Sequence, residues 1–410
     1  MMENTNEKTA LFAQKMVLPG KVISDAVILI QRGKILAVGE RSQVNYSDAG
    51  KRWDAGALII APGLIDQMVH GSHGFKPGIS VEETLKFAGV MIKNGVTSFL
   101  PTVSFSETVK EMQESLAVTA RAIESDSPES QNSAQMLGIN FEAPFLTKAG
   151  KSQWDRYPPA GYFAGKMARD PSVEELHAYQ DAAGGHLKLM TIAPELEGAL
   201  DVIREMGDLG IVPSIGHTAA SYEEARAGIA AGAKSATHVY NAMRRQDHRE
   251  PGVIEAVLVS DEIMAEIIAD CVHVFPSALD MAYRCKGPDR LILISDNLKY
   301  AGLPNGLYVD EMGREIEKTD DRAHHPGWTL AGSISPLNWG VRNMIQRVGV
   351  PMSEAIKMAS LNPARLLGVA DRKGSLEAGK DADLIIIDED INVEGVMIKG
   401  NWMFKEKVIS

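Results

Sequence analysis

The stretch VPSIGHTAASYEEARAGIAAGAKSATHVYNAM, residues 212–243, shows the pattern that decides the fold. VPSIGHT (212–218) and SATHVYNAM (235–243) are short apolar runs typical of buried strands, and ASYEEARAGIAAGA (220–233) between them is an amphipathic helix candidate. A strand, a helix and a second strand in succession form the repeating unit of an α/β fold.

The same alternation continues through the middle of the chain, with helix candidates such as SVEETLKFAGVMIKNG (80–95) between most of the apolar runs. Eight strands with intervening helices predict a (β/α)₈ barrel rather than a doubly wound sheet. The eight runs are GLIDQMVHG (63–71), GVTSFLPTVS (95–104), MLGINFEAPF (136–145), LKLMTIAPE (187–195), VPSIGHT (212–218), SATHVYNAM (235–243), EIIADCVHV (266–274) and RLILISDNL (290–298).

Both ends of the chain have a different pattern from the middle. KVISDAVILIQRGKILAVGE (21–40) and GSLEAGKDADLIIIDEDINVEGVMIKGNWMF (374–404) are rich in β-forming runs divided by turn residues. We therefore expect one small β-domain built from the two termini. The Gly-, Pro- and aromatic-rich stretch at 150–172 is predicted to be a long loop over the barrel mouth.

Composition excludes several classes of protein. The 410 residues carry a net charge of −12, which argues against a general nucleic-acid or anionic-membrane binder. Cys271 and Cys285 form no CxxC pair, so we expect no disulfide framework and a reducing, cytoplasmic compartment. We find no run of about 18 apolar residues and therefore expect no membrane span.

Polar, mostly ionisable residues stand at the ends of the apolar runs. Catalytic residues of such barrels come from the C-terminal ends of the strands. One such residue alone is more often a hydrogen-bonded structural residue than a ligand, but the repeated position indicates a site. The set comprises His70, Glu142, Glu195, His217, His238, His273 and Asp296.

Three of these residues form a chemically sensible metal-binding group. The carboxylate of Glu142 and the neutral imidazoles of His217 and His238 suit Zn²⁺ or a similar divalent ion and leave coordination positions open for water. Hydrolysis then needs a base for the proton of that water, and Asp296 is the candidate. The alternative for Asp296 is a structural aspartate bonded to loop amides.

With these residues in place, the sequence resembles the amidohydrolase superfamily, and within it the N-acetylglucosamine-6-phosphate deacetylase branch. The resemblance covers nearly the whole chain. It implies a barrel of residues 62–373 and a β-sandwich of residues 1–61 and 374–410. The matching stretches are APGLID, NFEAPF, TIAPE, GHTAASY, ATHVYNAM, REPG, IADCVHV, ISDN, LAGSISP, LNPARLLG and GSLEAGKDADLIIID.

The resemblance implies a role for each matching residue. One divalent ion per subunit, Zn²⁺ by default with Fe²⁺, Mn²⁺ or Co²⁺ as alternatives, would polarise the acetamide of an N-acetyl amino-sugar 6-phosphate and activate water. The products would be acetate and the amino-sugar phosphate. For the reaction itself, the resemblance implies Glu142, His217 and His238 as metal ligands, Asp296 as the acid/base and His273 near the scissile amide. For substrate binding, it implies Asn241 and Ala242 at the sugar, and Ala331 and Gly332 for backbone contacts. It also implies a homodimer in which Arg249 contacts the phosphate of the substrate bound in the neighbouring subunit.

Several positions depart from the family pattern, and most of them surround the expected sugar site. Ala143 replaces a glycine, Asn297 follows the expected acid/base, Cys271 replaces another glycine, and AGKSQWD (149–155) lacks the usual histidine. N-acetylgalactosamine 6-phosphate is therefore an alternative substrate. A different N-acyl or cyclic amide, or a catalytically inactive binding protein on this fold, are further alternatives.

The stretch GLIDQMVHGSHGF (63–75) bears on the number of metal ions. The His-x-His motif that holds a second metal in many amidohydrolases falls on Met68-Val69-His70. Methionine is a poor ligand for such an ion, so we expect a single-metal site. His70 remains an additional candidate that lines the pocket or supports a second metal, and His73 is predicted to have a loop role.

Overall fold

The structure is a computed structural model that describes residues 7–104, 106, 108–147, 168–310, 313–326 and 329–406. The stretch AGKSQWD (149–155) and most of the predicted loop over the barrel mouth lie outside the described residues. The strands are β1 (Thr9–Leu18), β2 (Lys21–Gln31), β3 (Lys34–Glu40), β4 (Lys51–Asp54), β5 (Ile59–Pro62), β6 (Leu64–Val69), β7 (Val96–Val103), β8 (Gln135–Met136), β9 (Ile139–Phe141), β10 (Leu187–Ile192), β11 (Val212–Ile215), β12 (Ser235–Ala236), β13 (Met264–Ile268), β14 (Leu291–Ile294), β15 (Gly306–Val309), β16 (Glu315–Lys318), β17 (Ala323–His325), β18 (Thr329–Gly332), β19 (Leu384–Ile387), β20 (Val393–Ile398) and β21 (Asn401–Lys405).

The helices alternate with the strands through the middle of the chain. Short 3₁₀ and π segments at Ile92–Asn94 and Met344–Val348 extend two of them. The α-helices are α1 (Val81–Met91), α2 (Val109–Ile123), α3 (Pro128–Gln131), α4 (Val173–Ala182), α5 (Ala199–Asp208), α6 (Tyr222–Ala231), α7 (Val253–Val259), α8 (Pro276–Arg290), α9 (Leu337–Asn343), α10 (Met352–Met358) and α11 (Leu361–Leu366).

Eight parallel strands form the barrel, in the order β6-β7-β9-β10-β11-β12-β13-β14. Backbone hydrogen bonds join the two ends of this sheet: the Asp296 N–H donates to the Met68 carbonyl at 2.9 Å, and the His70 N–H donates to the Asn297 carbonyl at 2.8 Å. The helices between the strands pack their apolar faces against the outside of the sheet. The predicted barrel is confirmed.

The opening stretch shows why the local sequence forms these elements. Ser221 caps α6 and forms a capping box with Glu224, each side chain accepting from the backbone N–H of the other residue. Ala225 and Ile229, four positions apart, are buried on one face of the helix. Gly232 then ends the helix with a positive φ of 126°.

The sixth barrel strand is much shorter than the apolar run that predicts it. Within SATHVYNAM only Ser235–Ala236 are extended, because the backbone then turns through left-handed conformations at His238, Tyr240 and Ala242. A residue with positive φ cannot continue a strand ladder. Apolar character therefore extends beyond the strand into the turn that carries the polar residues.

The two termini join in one further sheet, with the strand order β21-β20-β19-β5-β1-β2-β3 and β4 paired to β1. This sheet confirms the predicted small β-domain built from both ends of the chain. A separate apolar core that includes Leu11, Ile28 and Ile386 packs on one of its faces. We propose that the domain boundaries lie at 61/62, before the last residue of β5, and at 373/374, before β19.

A four-stranded antiparallel sheet, β15-β16-β17-β18, lies between the last barrel strand and α9. It returns the chain to the barrel mouth: the Ser333 N–H donates to the Asp296 carbonyl at 3.2 Å, and the Leu298 N–H donates to the Ser333 carbonyl at 2.9 Å. This sheet is not among the elements predicted from the sequence. Among the described residues, no helix has both the length and the apolar character needed to cross a membrane.

A buried ion pair lies at the junction of the barrel and the terminal sheet. The Lys373 ammonium, with 1% of its side chain exposed, contacts the carboxylates of Asp383 and Asp381, the latter at 3.4 Å. Asp383 also accepts the Lys399 backbone N–H at 2.7 Å and the Gln135 amide at 3.3 Å. Lys373 therefore pairs with Asp383 at this junction and shares Asp381 with Lys34, whose Nζ atom lies 2.6 Å from Asp381 Oδ1.

Replacing Lys373 by methionine should lower the free energy of unfolding by about 3 kcal/mol, because it leaves the buried Asp383 carboxylate without the Lys373 cation. Urea denaturation followed by circular dichroism measures the change. Lys15→Met is a matched control, because the Lys15–Glu389 pair is 39% and 64% exposed and such pairs contribute about 0–1 kcal/mol. Equal stability of the two variants would contradict a stabilising role for the buried pair.

Candidate active site

Three predicted metal ligands meet at the C-terminal end of the barrel. The Oε1 atom of Glu142 lies 2.8 Å from Nε2 of His217 and 3.0 Å from Nε2 of His238, and the two Nε2 atoms are 3.1 Å apart. Glu142 directly follows β9, while His217 and His238 each stand two residues beyond β11 and β12. Barrel closure thus brings together residues 75 and 96 positions apart in the sequence.

The chemistry of this group fits a divalent cation. Bonds of about 2.0–2.1 Å at a tetrahedral ion separate the ligand atoms by roughly 3.3 Å, close to the spacing of the three atoms here. Two imidazole nitrogens that face each other at 3.1 Å cannot both carry hydrogens without repulsion, whereas a cation between them uses both lone pairs. Glu142, His217 and His238 could therefore hold a metal ion.

Glu142 is a buried carboxylate surrounded by imidazoles. Burial raises the pKa of its carboxyl group, but the nearby His217 and hydrogen bonds from His217, His238 and His70 outweigh burial and hold the pKa well below its usual range. Burial lowers the pKa of His238, and the hydrogen bond to Glu142 reverses this and raises it. The site thus keeps a negative charge where a cation would bind.

His70 lies between the metal-binding group and Asp296. Its Nε2 atom is 3.3 Å from Glu142 Oε2 and 3.1 Å from Asp296 Oδ1, and its Nδ1 atom is 2.7 Å from Ser104 Oγ. Burial lowers the pKa of His70, but hydrogen bonds to Asp296 and Glu142 outweigh burial and raise it to about 10. The structure therefore places the candidate acid/base next to the candidate metal ligands. Met68, by contrast, packs in an apolar cluster with Ile268, Ile292 and Ile294.

The backbone at these strand ends is unusual. His217, His238 and Asp296 have φ values of 48°, 31° and 50°, in the left-handed region that residues other than glycine rarely adopt. Such conformations are costly and cluster at functional sites. In each case the strand ends and the chain turns where the polar side chain enters the barrel mouth.

Glu195 connects two loops of the site. Its carboxylate accepts the Ala219 N–H at 2.7 Å, the Thr218 hydroxyl at 2.5 Å and the Thr147 hydroxyl. The Thr147 N–H donates in turn to the His217 carbonyl at 3.0 Å. Glu195 therefore braces the turn that carries His217 rather than joining the metal-binding group, a role the sequence alone did not assign.

His273 is held by a neighbouring carboxylate. Its Nδ1 atom is 2.6 Å from Oδ2 of Asp270, whose Oδ1 accepts the backbone N–H groups of Val272 and His273 at 2.9 and 2.8 Å. Burial raises the pKa of Asp270, but its hydrogen bond with His273 outweighs burial and lowers it. Cys271 between them has a φ of 63°, which explains physically why glycine suits this position.

The remaining predicted substrate residues lie in turns near the barrel mouth. Asn241 and Ala242 follow His238: the Asn241 N–H donates to the His238 carbonyl at 2.9 Å, and the Ala242 carbonyl accepts from the Thr218 N–H at 3.1 Å. Arg249 is exposed, and its N–H donates to Asp247 at 2.8 Å.

Ala331 and Gly332 end β18, next to the segment hydrogen-bonded to Asp296. A Cβ atom at Gly332 would lie 2.8 Å from Leu298 Cγ, so the close approach of the two segments requires glycine.

Ser104, Asp270 and Glu195 thus orient site residues by contacts that the sequence analysis did not predict. Ser104 ends the second apolar run and Asp270 precedes His273 by three residues, so their positions in the sequence are consistent with roles in the site. His73, expected in a loop, contacts the Ser72 hydroxyl through Nδ1 at 2.8 Å.

Comparisons with known proteins agree with this architecture. The model of the amidohydrolase family matches residues 59–403. An N-acetylglucosamine-6-phosphate deacetylase from Vibrio furnissii is 33% identical over 406 residues, covering 98% of this chain and 97% of the relative. An N-acetylgalactosamine-6-phosphate deacetylase from Escherichia coli O157:H7 is 34% identical over 345 residues, covering 84% and 87%.

A solved structure has the same fold over almost the whole chain. It is a mutant N-acetyl-D-glucosamine-6-phosphate deacetylase from Mycobacterium smegmatis in complex with N-acetyl-D-glucosamine-6-phosphate, with a TM-score of 0.86, 28% identity, and coverage of 97% of this chain and 100% of that chain. The family match spans all eight barrel strands and part of the terminal sheet, and it includes every residue of the site described above. The chain belongs to the amidohydrolase family.

Proposed function

We propose that this protein is a metal-dependent deacetylase that hydrolyses the acetamide of an N-acetyl amino-sugar 6-phosphate. The first candidate substrate is N-acetylglucosamine 6-phosphate. The observation that carries the proposal is the convergence of Glu142, His217 and His238, with Asp296 linked to Glu142 through His70. This arrangement combines a site for a cation with a carboxylate placed to move a proton. The names of the relatives and of the solved structure support the choice of an amino-sugar phosphate.

Each residue has a role in this reaction. A divalent ion, Zn²⁺ by default, supplies a Lewis acid and lowers the pKa of bound water when present. Glu142, His217 and His238 would hold this ion. The Asp296 carboxylate accepts the proton of the attacking water and returns it to the leaving amine.

Residues in the turns around the barrel mouth make the proposed contacts with the substrate. His273, fixed through Nδ1 by Asp270, presents Nε2 to the substrate and orients the acetamide carbonyl. Asn241 and Ala242 contact the sugar, and the β18 end at Ala331 and Gly332 offers backbone groups to it. Arg249 grips the phosphate with a planar guanidinium suited to bidentate hydrogen bonding.

We further propose a cytoplasmic homodimer in which Arg249 acts in the neighbouring site. The exposure of Arg249 supports this role, since its side chain is available to a second subunit. Cys271 and Cys285 are both free thiols, as suits a reducing compartment. The galactosamine isomer is the second candidate substrate, because the relative named as an N-acetylgalactosamine-6-phosphate deacetylase is 34% identical, similar to the 33% of the relative named as an N-acetylglucosamine-6-phosphate deacetylase.

The substrate assignment predicts which amides are cleaved. Metal-loaded protein should release free amine from N-acetylglucosamine 6-phosphate or its galactosamine isomer, with kcat/KM at least about 10-fold higher than for unphosphorylated N-acetylglucosamine, because the charge-assisted contact to phosphate is lost. Fluorescamine detection of free amine measures the rates. Hydrolysis of N-acetyl amino acids with no cleavage of either sugar phosphate would reject the assignment.

The role of Asp296 predicts a specific loss. Asp296→Asn should lower kcat by roughly 10³-fold while the metal content stays as in the wild type, because only proton transfer is removed. Steady-state kinetics and elemental mass spectrometry measure the two effects. Asp126→Asn, at an exposed position, is the matched control. Full turnover in Asp296→Asn would remove Asp296 as the acid/base.

The role of Arg249 predicts complementation between inactive subunits. Arg249→Ala should raise KM for the sugar phosphate, and Arg249→Lys should restore only part of the binding. At substrate concentrations well below KM, where Arg249→Ala alone is nearly inactive, its co-expression with Asp296→Asn should recover about a quarter of the wild-type rate, because half of randomly mixed dimers then contain one complete site. No recovery in purified mixed dimers would show that Arg249 does not act across the interface.

A further inference from the structure

The ring of His70 is held from both sides. Ser104 Oγ contacts Nδ1 at 2.7 Å, and Nε2 on the opposite edge points between Glu142 Oε2 at 3.3 Å and Asp296 Oδ1 at 3.1 Å. Both neighbours of Nε2 are carboxylate oxygens, which only accept, so Nε2 carries the hydrogen and donates to them. The imidazole thus links two carboxylates through one N–H group.

Glu142 uses its two oxygens for different partners. Oε1 faces His217 and His238, while Oε2 faces His70. A carboxylate held in this way would offer Oε1 to a cation between the imidazoles, while Oε2 is engaged with His70. Because two carboxylates that share a site repel each other, the N–H between Glu142 and Asp296 also keeps the second carboxylate close to the first.

The backbone supports the same link. The His70 N–H donates to the Asn297 carbonyl at 2.8 Å, and the Asp296 N–H donates to the Met68 carbonyl at 2.9 Å. The first and last barrel strands are therefore joined at the level of the site. The Met68 side chain is fully buried in an apolar cluster. It therefore offers no hydrogen-bonding group to His70.

We propose that His70 is a positioning residue that fixes Asp296 for proton transfer and restricts Glu142 to one metal-binding oxygen. Ser104 sets the orientation of the ring. The first part rests on the proposed function, because it requires Asp296 to act as the acid/base. The second part concerns only how the chain holds a cation and stands without any assumption about the substrate.

The test compares His70→Ala, His70→Gln and Ser104→Ala with the wild type and with the control His177→Gln, whose imidazole lies on the surface beside Glu205. His70→Ala should lower kcat about 10²-fold with little change in KM, the loss expected from a misplacement of roughly 1 Å. His70→Gln, with an N–H donor of similar reach, should recover at least a tenth of the wild-type kcat. Ser104→Ala should lie between these two variants.

Metal measurements give a result that does not depend on turnover. Elemental mass spectrometry should find one ion per chain in the wild type and in His70→Ala. The visible d–d bands of Co²⁺-loaded His70→Ala should weaken relative to the wild type, because Glu142 Oε2 becomes free to bind and raises the coordination number. An unchanged Co²⁺ spectrum would overturn the restriction of Glu142.

Two further outcomes would overturn the proposal in other ways. Two ions per wild-type chain and one per His70→Ala chain would make His70 a ligand instead. An unchanged kcat in His70→Ala, in a wild type that cleaves the sugar phosphate, would overturn the positioning of Asp296. A wild-type protein that binds metal but cleaves no amide would refute the proposed function. The ion count and the Co²⁺ spectrum would still decide whether His70 restricts Glu142 to one metal-binding oxygen.

Discussion

The buried carboxylate of Glu142 is the constraint on which the arrangement of the site depends. A charge removed from water is costly unless it is paired and hydrogen-bonded. Here three imidazoles, from His70, His217 and His238, meet its two oxygens. The carboxylate stays ionised in a pocket where it would otherwise take up a proton, and the same contacts fix the positions of the groups that a cation needs.

The closed barrel makes this pairing possible. Parallel strands end at the same face of a barrel, so that residues far apart in sequence face one another there. The strand ends then turn sharply, and the left-handed backbone at His217, His238 and Asp296 directs each side chain into the mouth. The cost of these conformations is offset by contacts such as those that Glu195 makes with the turn after His217.

The sequence predicted the fold well because the signals for it are local. Periodic apolar residues and the β-rich runs at the termini each act over a few neighbouring residues, as does the capping box that the structure shows at Ser221 and Glu224. The four-stranded sheet before α9 was missed, since its strands are only three or four residues long and partly exposed. Strand lengths were overestimated where apolar residues continue into a turn, as in SATHVYNAM.

By itself the sequence determined the chemistry available: three carboxylates and four imidazoles, each at the end of an apolar run. Only the tertiary structure decided how these groups are used. Glu142, His217 and His238 converge, whereas Glu195 turns to brace a loop and His273 pairs with Asp270. The physical reason is that hydrogen bonding between distant residues depends on distances of about 3 Å and on side-chain direction, which barrel closure sets and sequence spacing does not.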